Sequence, residues 1–168
     1  IKIAADTSEA NTTRIHALWS LESIGYFDQN LLTALVNDQD GDIRREAIRS
    51  LAAFKVTPEQ LAALLNNISN EKNVMVRSQA IRTIEALGSA NHNTIDIAVS
   101  FCHPASASNH PGNGYEQNFE RYLARRALER YPDELRTYLE TPLAAKQPAT
   151  KRIWAQQALG KQSSDSFA

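Results

Sequence analysis

The chain has 168 residues, of which 42% are apolar and 22% charged, and its formal net charge is −1. This balance excludes a strongly basic protein whose overall field attracts nucleic acid or an anionic membrane. A single cysteine, Cys102, excludes an internal disulfide, and the longest apolar runs, such as Leu61–Leu65, are too short to span a bilayer.

The chain begins at Ile1 rather than at a methionine. We therefore expect it to be a domain excised from a longer protein. Its length suits one domain or about five short repeats.

An Arg-x-x-Ala-x-x-x-Leu/Ile motif occurs five times along the chain. Its arginines are Arg14, Arg44, Arg77, Arg121 and Arg152, and successive steps are 30, 33, 44 and 31 residues. Self-similarity at this period is typical of stacked helical repeats. The motif places a stripe on one face of a helix, usually with a further apolar residue at i+4. The small alanine lets a neighbouring helix approach closely.

A second set of helices is predicted between the motif helices by apolar residues at helical spacing. These segments are Gln29–Val36, Pro58–Ile68, Thr94–Phe101 and Asp133–Glu140. Each unit therefore reads as a helix A, a short turn and a helix B that carries the motif. Thr57 is predicted to cap its helix, with Pro58 in the first turn and Gln60 closing a capping box.

Other residues are predicted to start or end these helices. Asp42 and Asn93 are candidate N-caps. Eleven residues after each of the first four motif arginines stand Gly25, Lys55, Gly88 and Pro132. Three of these four residues, the two glycines and the proline, are strong helix terminators, so stops are expected to recur at this distance from the motif arginine.

Two segments, Ile43-Arg44-x-x-Ala47 and Val76-Arg77-x-x-Ala80, resemble the unit of HEAT-type repeats, in the short form of the phycobilisome-lyase-like group. The resemblance covers nearly the whole chain. It implies an all-α fold, an α-α superhelix of about five helical hairpins within a single domain over residues 1–160. The first copy has no convincing helix A, Cys102–Tyr115 is predicted to form an extended loop, and the polar tail 161–168 is predicted to be disordered.

A narrower resemblance concerns residues 14–22 and 119–129. Both segments resemble parts of large secreted bacterial proteins of the membrane-bound dehydrogenase group. In that group a sugar-dehydrogenase-like β-propeller precedes the HEAT repeats, and a c-type haem domain follows them. The resemblance implies that any redox chemistry lies outside this chain. It also implies a periplasmic or extracellular location, whereas without it a cytoplasmic location is expected.

The motif arginines are expected to be structural. In HEAT-type repeats the equivalent arginine resembles a bridge to an acidic residue of the inter-helix turn or of a neighbouring repeat. Asp38, Asp40 and Asp42 are the predicted partners of Arg44. A partly buried, charge-assisted hydrogen bond of this kind contributes roughly 1.5–3 kcal/mol.

A candidate binding stripe lies beside the buried face of the motif helices, at positions i+1 and i+5, and is expected to be concave. It comprises Trp19, Arg45, Arg49, Arg82, Tyr122 and Arg126. Arginine beside aromatic residues suits the binding of carboxylate, phosphate or peptide. The alternative is a solvated face, because Glu46, Glu85 and Glu129 stand three residues from Arg49, Arg82 and Arg126. Trp19 also suits core or end packing.

Metal binding and catalysis receive little support from the sequence. Cys102, His103 and His110 could hold a soft metal, but their spacing matches no zinc pattern and a fourth ligand is missing. No phosphate-binding loop or metalloprotease motif is present. We therefore expect no metal, no cofactor and no catalytic residue.

The function expected from the sequence is a non-catalytic scaffold from a larger bacterial protein. Its partner would be another protein or a neighbouring domain of the same parent chain, with no membrane contact and no nucleic acid. Two alternatives remain open. One is an enzyme of the HEAT-like DNA glycosylase type, which requires a basic concave face. The other is a chromophore-lyase-type subunit, as the phycobilisome-lyase resemblance suggests.

Overall fold

A computed structural model describes residues 1–104 and 113–160, and all of its regular structure within these ranges is helical. The helices are α1 (Lys2–Ala5), α2 (Asn11–Ser23), α3 (Gln29–Val36), α4 (Gly41–Ala53), α5 (Pro58–Leu64), α6 (Val74–Ala86), α7 (His92–Ser100), α8 (Asn113–Leu128), α9 (Pro132–Leu139), α10 (Pro142–Ala145) and α11 (Ala149–Gln156). Short 3₁₀ turns at Ile68–Asn70 and Gln157–Leu159 follow α5 and α11. None of these helices is both long enough and apolar enough to cross a bilayer.

The helices form two layers that alternate along the chain. The A helices are α1, α3, α5, α7 and α9, and the B helices are α2, α4, α6, α8 and α11. Each B helix packs against the next one in the series, and α10 joins α9 to α11. The predicted all-α solenoid of stacked helical hairpins is therefore confirmed.

Neighbouring helices pack against one another within both layers. Helix α4 lies against α6 and α6 against α8 in the B layer, while α5 lies against α7 and α7 against α9 in the A layer. The concavity of the outer face of the B helices stays a prediction.

The motif alanines form the seams between neighbouring B helices. From the second unit onward they are completely buried: Ala47, Ala80, Ala124 and Ala155. The motif Leu51, Ile84 and Leu128 are buried beside them. Small residues at these positions allow the close approach of the helices, so the seams depend on alanine itself.

Two predicted helix caps are wrong by the same two residues. Helix α4 is capped by Asp40, whose carboxylate accepts hydrogen bonds from the amides of Asp42 and Ile43. Helix α7 is likewise capped by Asn91 and not by Asn93. In both cases two polar residues stand two positions apart at the start of the helix. The first of the two has the extended backbone of an N-cap, and its side chain accepts from the amides two and three positions ahead. The capping box of Thr57 and Gln60, with Pro58 in the first turn, is confirmed.

Three of the four predicted helix ends are confirmed. Gly25, Lys55 and Gly88 have positive φ values of 67°, 53° and 81°, which is the left-handed conformation that ends a helix. After α4 the amide of Val56 donates to the carbonyl of Leu51, which completes the terminal turn. Pro132 does not end α8, because that helix stops at Leu128 and Pro132 begins α9.

The two ends of the stack differ from the prediction in detail. The first unit is incomplete, as predicted, but a one-turn helix, α1, does precede α2. Helix α8 begins at Asn113, so the predicted loop Cys102–Tyr115 is wrong over its last three residues. The rest of that loop from residue 105, including His110, and the tail 161–168 lie outside the described residues.

The long α8 changes the place of the motif arginine within its helix. Arg14, Arg44, Arg77 and Arg152 are each the fourth residue of their helix, whereas Arg121 is the ninth residue of α8. The residues before Arg121 are consequently helical, and their carbonyls are used within the helix. The carbonyls that precede Arg121 are therefore not available to its guanidinium group.

Candidate binding surface

The motif arginines of the second and third units bind the turn that precedes their own helix. The Nη1 group of Arg44 donates to the carbonyls of Asp38 and Gln39, at 2.7 and 2.9 Å. The Nη1 group of Arg77 donates to the equivalent carbonyls of Glu71 and Lys72, at the same two distances. Each of these arginines therefore fixes the turn between helix A and helix B of its unit.

The same arginines also bind a carboxylate of the following unit. Arg14 pairs with Asp38, Arg44 with Glu71 at 2.7 Å, and Arg77 with Glu120 at 2.6 Å. Asp38 and Glu71 thus accept one arginine through the side chain and the next arginine through the backbone. We call this chain of contacts the arginine ladder. The predicted pairing of Arg44 with a carboxylate of its own turn is wrong, because Arg44 reaches only the carbonyls of Asp38 and Gln39 there. Its carboxylate partner, Glu71, belongs to the neighbouring repeat, which was the other expectation.

The ladder carboxylates are held in the ionised form. Burial raises the pKa of Glu71, but hydrogen bonds from Arg44 and from the Asn73 amide outweigh it, and the pKa lies below its usual value. The pKa of Asp38 is lowered in the same way, against burial, by hydrogen bonds from Arg14 and the Asp40 amide. These carboxylates are therefore occupied by structural contacts and are poorly suited to proton transfer.

Glu120 is the ladder carboxylate of the fourth unit, although it lies on α8 itself rather than in a turn. It is almost completely buried, and its second oxygen lies 3.5 Å from Nε2 of His103. Burial raises its pKa, but hydrogen bonds from His103 and Arg77 outweigh this and lower it. Nothing in the repeat pattern identified Glu120, because the lengthened turn displaced the acidic residue from its usual place.

The ladder ends at the fourth unit. Within the described residues, Nη1 of Arg121 and Nε of Arg152 are buried and have no hydrogen-bond partner. In Arg44 and Arg77, Nη1 binds the turn carbonyls, and for Arg121 the equivalent residues belong to α8. The guanidinium of Arg121 instead stacks 4.4 Å from the centre of the Trp154 ring. A cation–π contact here replaces an ion pair.

Three of the predicted binding residues lie in one network on α2 and α4. Arg49 donates to Glu22 at 2.7 Å and to Glu46 at 2.9 Å, and the indole of Trp19 donates to Glu46 at 3.2 Å. Arg45 pairs with Glu46 and with Asp42. We call this network the N-terminal patch. It comprises Trp19, Glu22, Asp42, Arg45, Glu46 and Arg49. It contains two guanidinium groups and three carboxylates, so its cations are neutralised internally.

The other three predicted binding residues lie on α6 and α8. Arg126 pairs with Glu85 of the neighbouring helix at 2.9 Å, and Arg125 pairs with Glu129 at 2.9 Å. Tyr122 lies beside Arg126 on the same helix. We call Arg82, Glu85, Tyr122, Arg125, Arg126 and Glu129 the C-terminal patch. It contains three guanidinium groups and two carboxylates, which reverses the balance of the N-terminal patch.

The pairing of these arginines differs from the prediction. Arg49 does pair with Glu46, three residues before it. Glu85, however, bridges to Arg126 on the next helix rather than to Arg82 on its own. Among the described residues Arg82 makes no hydrogen bond or ion pair, and it is exposed. Binding at the six predicted residues stays a prediction, but their surroundings now divide them into two groups.

Some exposed residues of the B helices were missed by the sequence reasoning. Position i+4 of the motif is buried in the first three units, where it holds Leu18, Ile48 and Ile81. In the fourth unit the same position holds Arg125, which is exposed. The sequence signal for this exposure is the arginine at a position that holds an aliphatic residue in each of the first three units. Met75 is also exposed, two residues before a motif arginine.

The residues considered for metal binding are placed differently from one another. Cys102 is completely buried beyond the end of α7, and burial raises the pKa of its thiol to about 12. His103 faces Glu120, and His110 lies outside the described residues. Within the described ranges no three His, Cys, Asp or Glu side chains are grouped so that they could hold a metal ion.

Residues 29–103 match the family model of HEAT repeats. This stretch is similar to HEAT repeats. It contains the helices α3 to α7, and therefore the two units in which the ladder arginines bind both a turn and a carboxylate. A comparison with curated proteins finds no match to the chain. HEAT repeats typically act as scaffolds for protein interaction, which directs attention to the outer face of the B helices.

Proposed function

We propose that this chain is a non-catalytic scaffold that binds another protein, or a neighbouring domain of its parent chain, on the outer face of its B helices. The observation that carries the proposal is the combination of exposed apolar and cationic side chains in one layer. Met75, Tyr122 and Ile153 are exposed on α6, α8 and α11, and Arg82 is exposed on α6. Aromatic residues, methionine and arginine are enriched in protein interfaces.

The chemistry of the buried polar groups supports binding rather than catalysis. Glu46 and Glu120 are largely buried, and each is bound by arginine. The thiol of Cys102 is protonated at neutral pH, so it is a poor nucleophile. A general acid, base or nucleophile would need a polar group that is not already committed to packing.

The glycosylase alternative requires a row of cations that neutralise successive phosphates. On the B helices the N-terminal patch instead has an excess of carboxylates. We expect duplex DNA to be lost from the chain even at low salt in a filter-binding assay, and retention would favour this alternative. No contact among the described residues favours a chromophore-lyase-type activity.

The wider setting is proposed from the resemblance of residues 14–22 and 119–129 to the dehydrogenase group. The chain would then be the repeat segment of a larger bacterial protein whose redox domains lie elsewhere. The full-length reading frame tests this directly. A β-propeller before the repeats and a haem-binding Cys-x-x-Cys-His motif after them are expected, and the absence of both from that frame contradicts the proposal.

The binding function can be tested with peptides selected from a random dodecapeptide library displayed on phage. Selected peptides are then titrated against the parent chain and against two double variants. One variant carries Met75→Asp and Tyr122→Asp on B helices. The matched control carries Ala34→Asp and Ala63→Asp, two exposed positions on A helices.

We expect the B variant to lose about tenfold or more in affinity, because exposed anchors dominate interfaces of this type. The A variant should bind as the parent does. Selection of no peptide, or of peptides that bind both variants equally, contradicts the proposed function. Both variants should keep the melting temperature of the parent within a few degrees, since all four positions are exposed.

A further inference from the structure

The C-terminal patch presents its cations to solvent and keeps its carboxylates beneath them. The side chains of Arg126 and Arg125 are 56% and 45% exposed, whereas their partners Glu85 and Glu129 are only 14% and 17% exposed. An approaching molecule therefore meets guanidinium groups first. In the N-terminal patch the order is reversed at its edge, where Asp42 is 65% exposed and its partner Arg45 is 32% exposed.

Arg82 adds a cation that no described carboxylate neutralises. Its neighbour Glu85, one turn along α6, is bound by Arg126 from α8. The guanidinium of Arg82 is exposed, so its donors are available to a ligand. A guanidinium binds a carboxylate through two parallel hydrogen bonds, and this geometry suits Asp and Glu side chains.

An aromatic side chain, Tyr122, lies beside the cations of α8, in the same stretch of the B layer as Arg82. Arg77 bridges to Glu120, and Glu85 bridges to Arg126, so the two helices are joined at both ends of this stretch. Arg82 and Tyr122 lie between the two bridges on their respective helices. Tyr122 is 57% exposed and, with Arg125, Arg126 and Glu129, lines a groove of about 490 Å³.

A groove of this size accommodates one or two side chains of a bound segment. Its lining combines the Tyr122 ring with the exposed guanidinium groups of Arg125 and Arg126 and the largely buried, paired carboxylate of Glu129. This combination suits an apolar side chain flanked by carboxylates. Nucleic acid fits less well, because the patch has an excess of only one cation and the adjoining N-terminal patch has an excess of one carboxylate. The carboxylates of the N-terminal patch would therefore repel the successive phosphates of a nucleic acid that lies along the B helices.

We propose that the C-terminal patch binds an acidic polypeptide segment, with an apolar or aromatic side chain in the groove beside Tyr122 and Asp or Glu side chains on Arg82 and Arg126. The proposal rests on the protein-binding function proposed above and names the class of partner. The N-terminal patch is excluded from this site because its carboxylates outnumber its guanidinium groups, and Arg45 and Arg49 are less exposed than Arg125 and Arg126.

The test uses the dodecapeptides selected on the parent chain. Each peptide is synthesised in its selected form and with every Asp and Glu replaced by Asn and Gln. Both forms are titrated by fluorescence anisotropy against the parent, Arg82→Glu and Lys146→Glu. Lys146→Glu is the matched control, since it reverses an exposed charge at the end of α10, away from the B helices.

We expect the selected peptides to be acidic, and to lose about tenfold or more in affinity both on amidation of their carboxylates and on Arg82→Glu. Lys146→Glu should leave the affinity unchanged apart from a small effect of net charge. Arg82→Glu should melt as the parent does, because Arg82 makes no contact that its reversal would break.

Two results would overturn the proposal while leaving the protein-binding function intact. One is a set of selected peptides whose affinity is the same in the acidic and the amidated forms. The other is binding that depends on Met75 and Tyr122 but not on the charge at position 82. If no peptide is selected at all, the binding function and the partner class fail together. Retention of duplex DNA at the patch would reassign it to nucleic acid.

Discussion

The first three units and the last two units use the same motif arginine in different ways. Arg44 and Arg77 each bind two turn carbonyls and a carboxylate of the next unit, whereas Arg121 and Arg152 each leave a buried N–H group without a partner in the described residues. The alanine seams do not differ, since Ala47 and Ala124 are both completely buried. The alanine seam is thus buried in both regions, whereas the polar contacts of the motif arginine differ between them.

For Arg121 the cause of the difference is the turn before the motif helix. Arg44 and Arg77 are each the fourth residue of their helix and reach the turn carbonyls, whereas Arg152 is also a fourth residue but leaves its Nε group unpaired within the described residues. In α8 the arginine is the ninth residue, and the preceding carbonyls belong to the helix. A longer turn therefore removes acceptors from the arginine without disturbing the seam. The surface changes in parallel, from a neutralised N-terminal patch to a C-terminal patch with exposed cations.

The largest effect is expected at the seams and should be the same in both regions. Ala47→Asp and Ala124→Asp each place an unpaired charge between packed helices. Each should lower the free energy of unfolding by about 3–5 kcal/mol, measured by urea denaturation. Ala63→Asp, at an exposed position of α5, is the control and should change it by about 0.5 kcal/mol or less. An Ala47→Asp variant as stable as the parent would mean that this seam is not buried.

A difference between the regions is expected at the arginines themselves. Arg44→Met removes bonds to Glu71 and to two turn carbonyls, and should lower the free energy of unfolding by about 2–3 kcal/mol. Arg121→Met removes a buried N–H group that lacks a partner and a stacking contact with Trp154, so it should cost less than about 1 kcal/mol. Equal losses in the two variants, measured in the same denaturation series, would show that the ladder contributes nothing of its own.

Acid should lower the free energy of unfolding by protonating the carboxylates of the arginine ladder in the first three units. The folded-state pKa of Glu71 lies below the usual value of 4.5. Above pH 4.5 Glu71 is ionised in both the folded and the unfolded chain, and its ion pair with Arg44 contributes fully. As the pH falls from 4.5 toward the lower pKa of the folded state, Glu71 is protonated first in the unfolded chain, so the free energy of unfolding decreases.

The Glu71→Gln variant isolates this effect. It should be less stable than the parent at neutral pH and should lose less stability between neutral pH and the acid side of the window. Chemical denaturation at a series of pH values measures both quantities. An unchanged pH dependence in Glu71→Gln would contradict the assignment of acid sensitivity to this residue.

The smallest effect is expected at the end of α4. Lys55 adopts a φ of 53°, where the equivalent positions after α2 and α6 hold glycine. Lys55→Gly removes a steric cost and should raise the free energy of unfolding by about 0.5–1 kcal/mol. Lys72→Gly, in a turn without a positive φ, should give no such gain. A destabilised Lys55→Gly variant would mean that the lysine side chain contributes more than its backbone costs.

Much of the fold could be predicted from the sequence because apolar spacing and the motif repeat are local signals. The bounds of α3, Gln29–Val36, were obtained without error, and the positive-φ helix ends followed from their fixed distance to the motif arginines. The N-caps of α4 and α7 were missed by two residues. There, several adjacent polar residues could each serve as a cap, and only the backbone geometry distinguishes them.

The contacts of the candidate site were less predictable because they join different units. Arg14, Arg44 and Arg77 reach carboxylates 24, 27 and 43 residues further on, so no fixed sequence spacing identifies the partner. Position along the B helices was predictable from helical periodicity. Whether an arginine is neutralised was not, since Glu85 could pair with Arg82 on its own helix or with Arg126 on the next.

The most direct test of the account is a ¹H–¹⁵N NMR titration of the chain with the tightest selected peptide. We predict that the amide shifts concentrate on α6 and α8, around Arg82, Tyr122 and Arg126, while the N-terminal patch on α2 and α4 and the A helices α5 and α7 remain unchanged. Shifts concentrated on the A helices, or on the N-terminal patch, would contradict the claim that the C-terminal half of the B surface is the binding face.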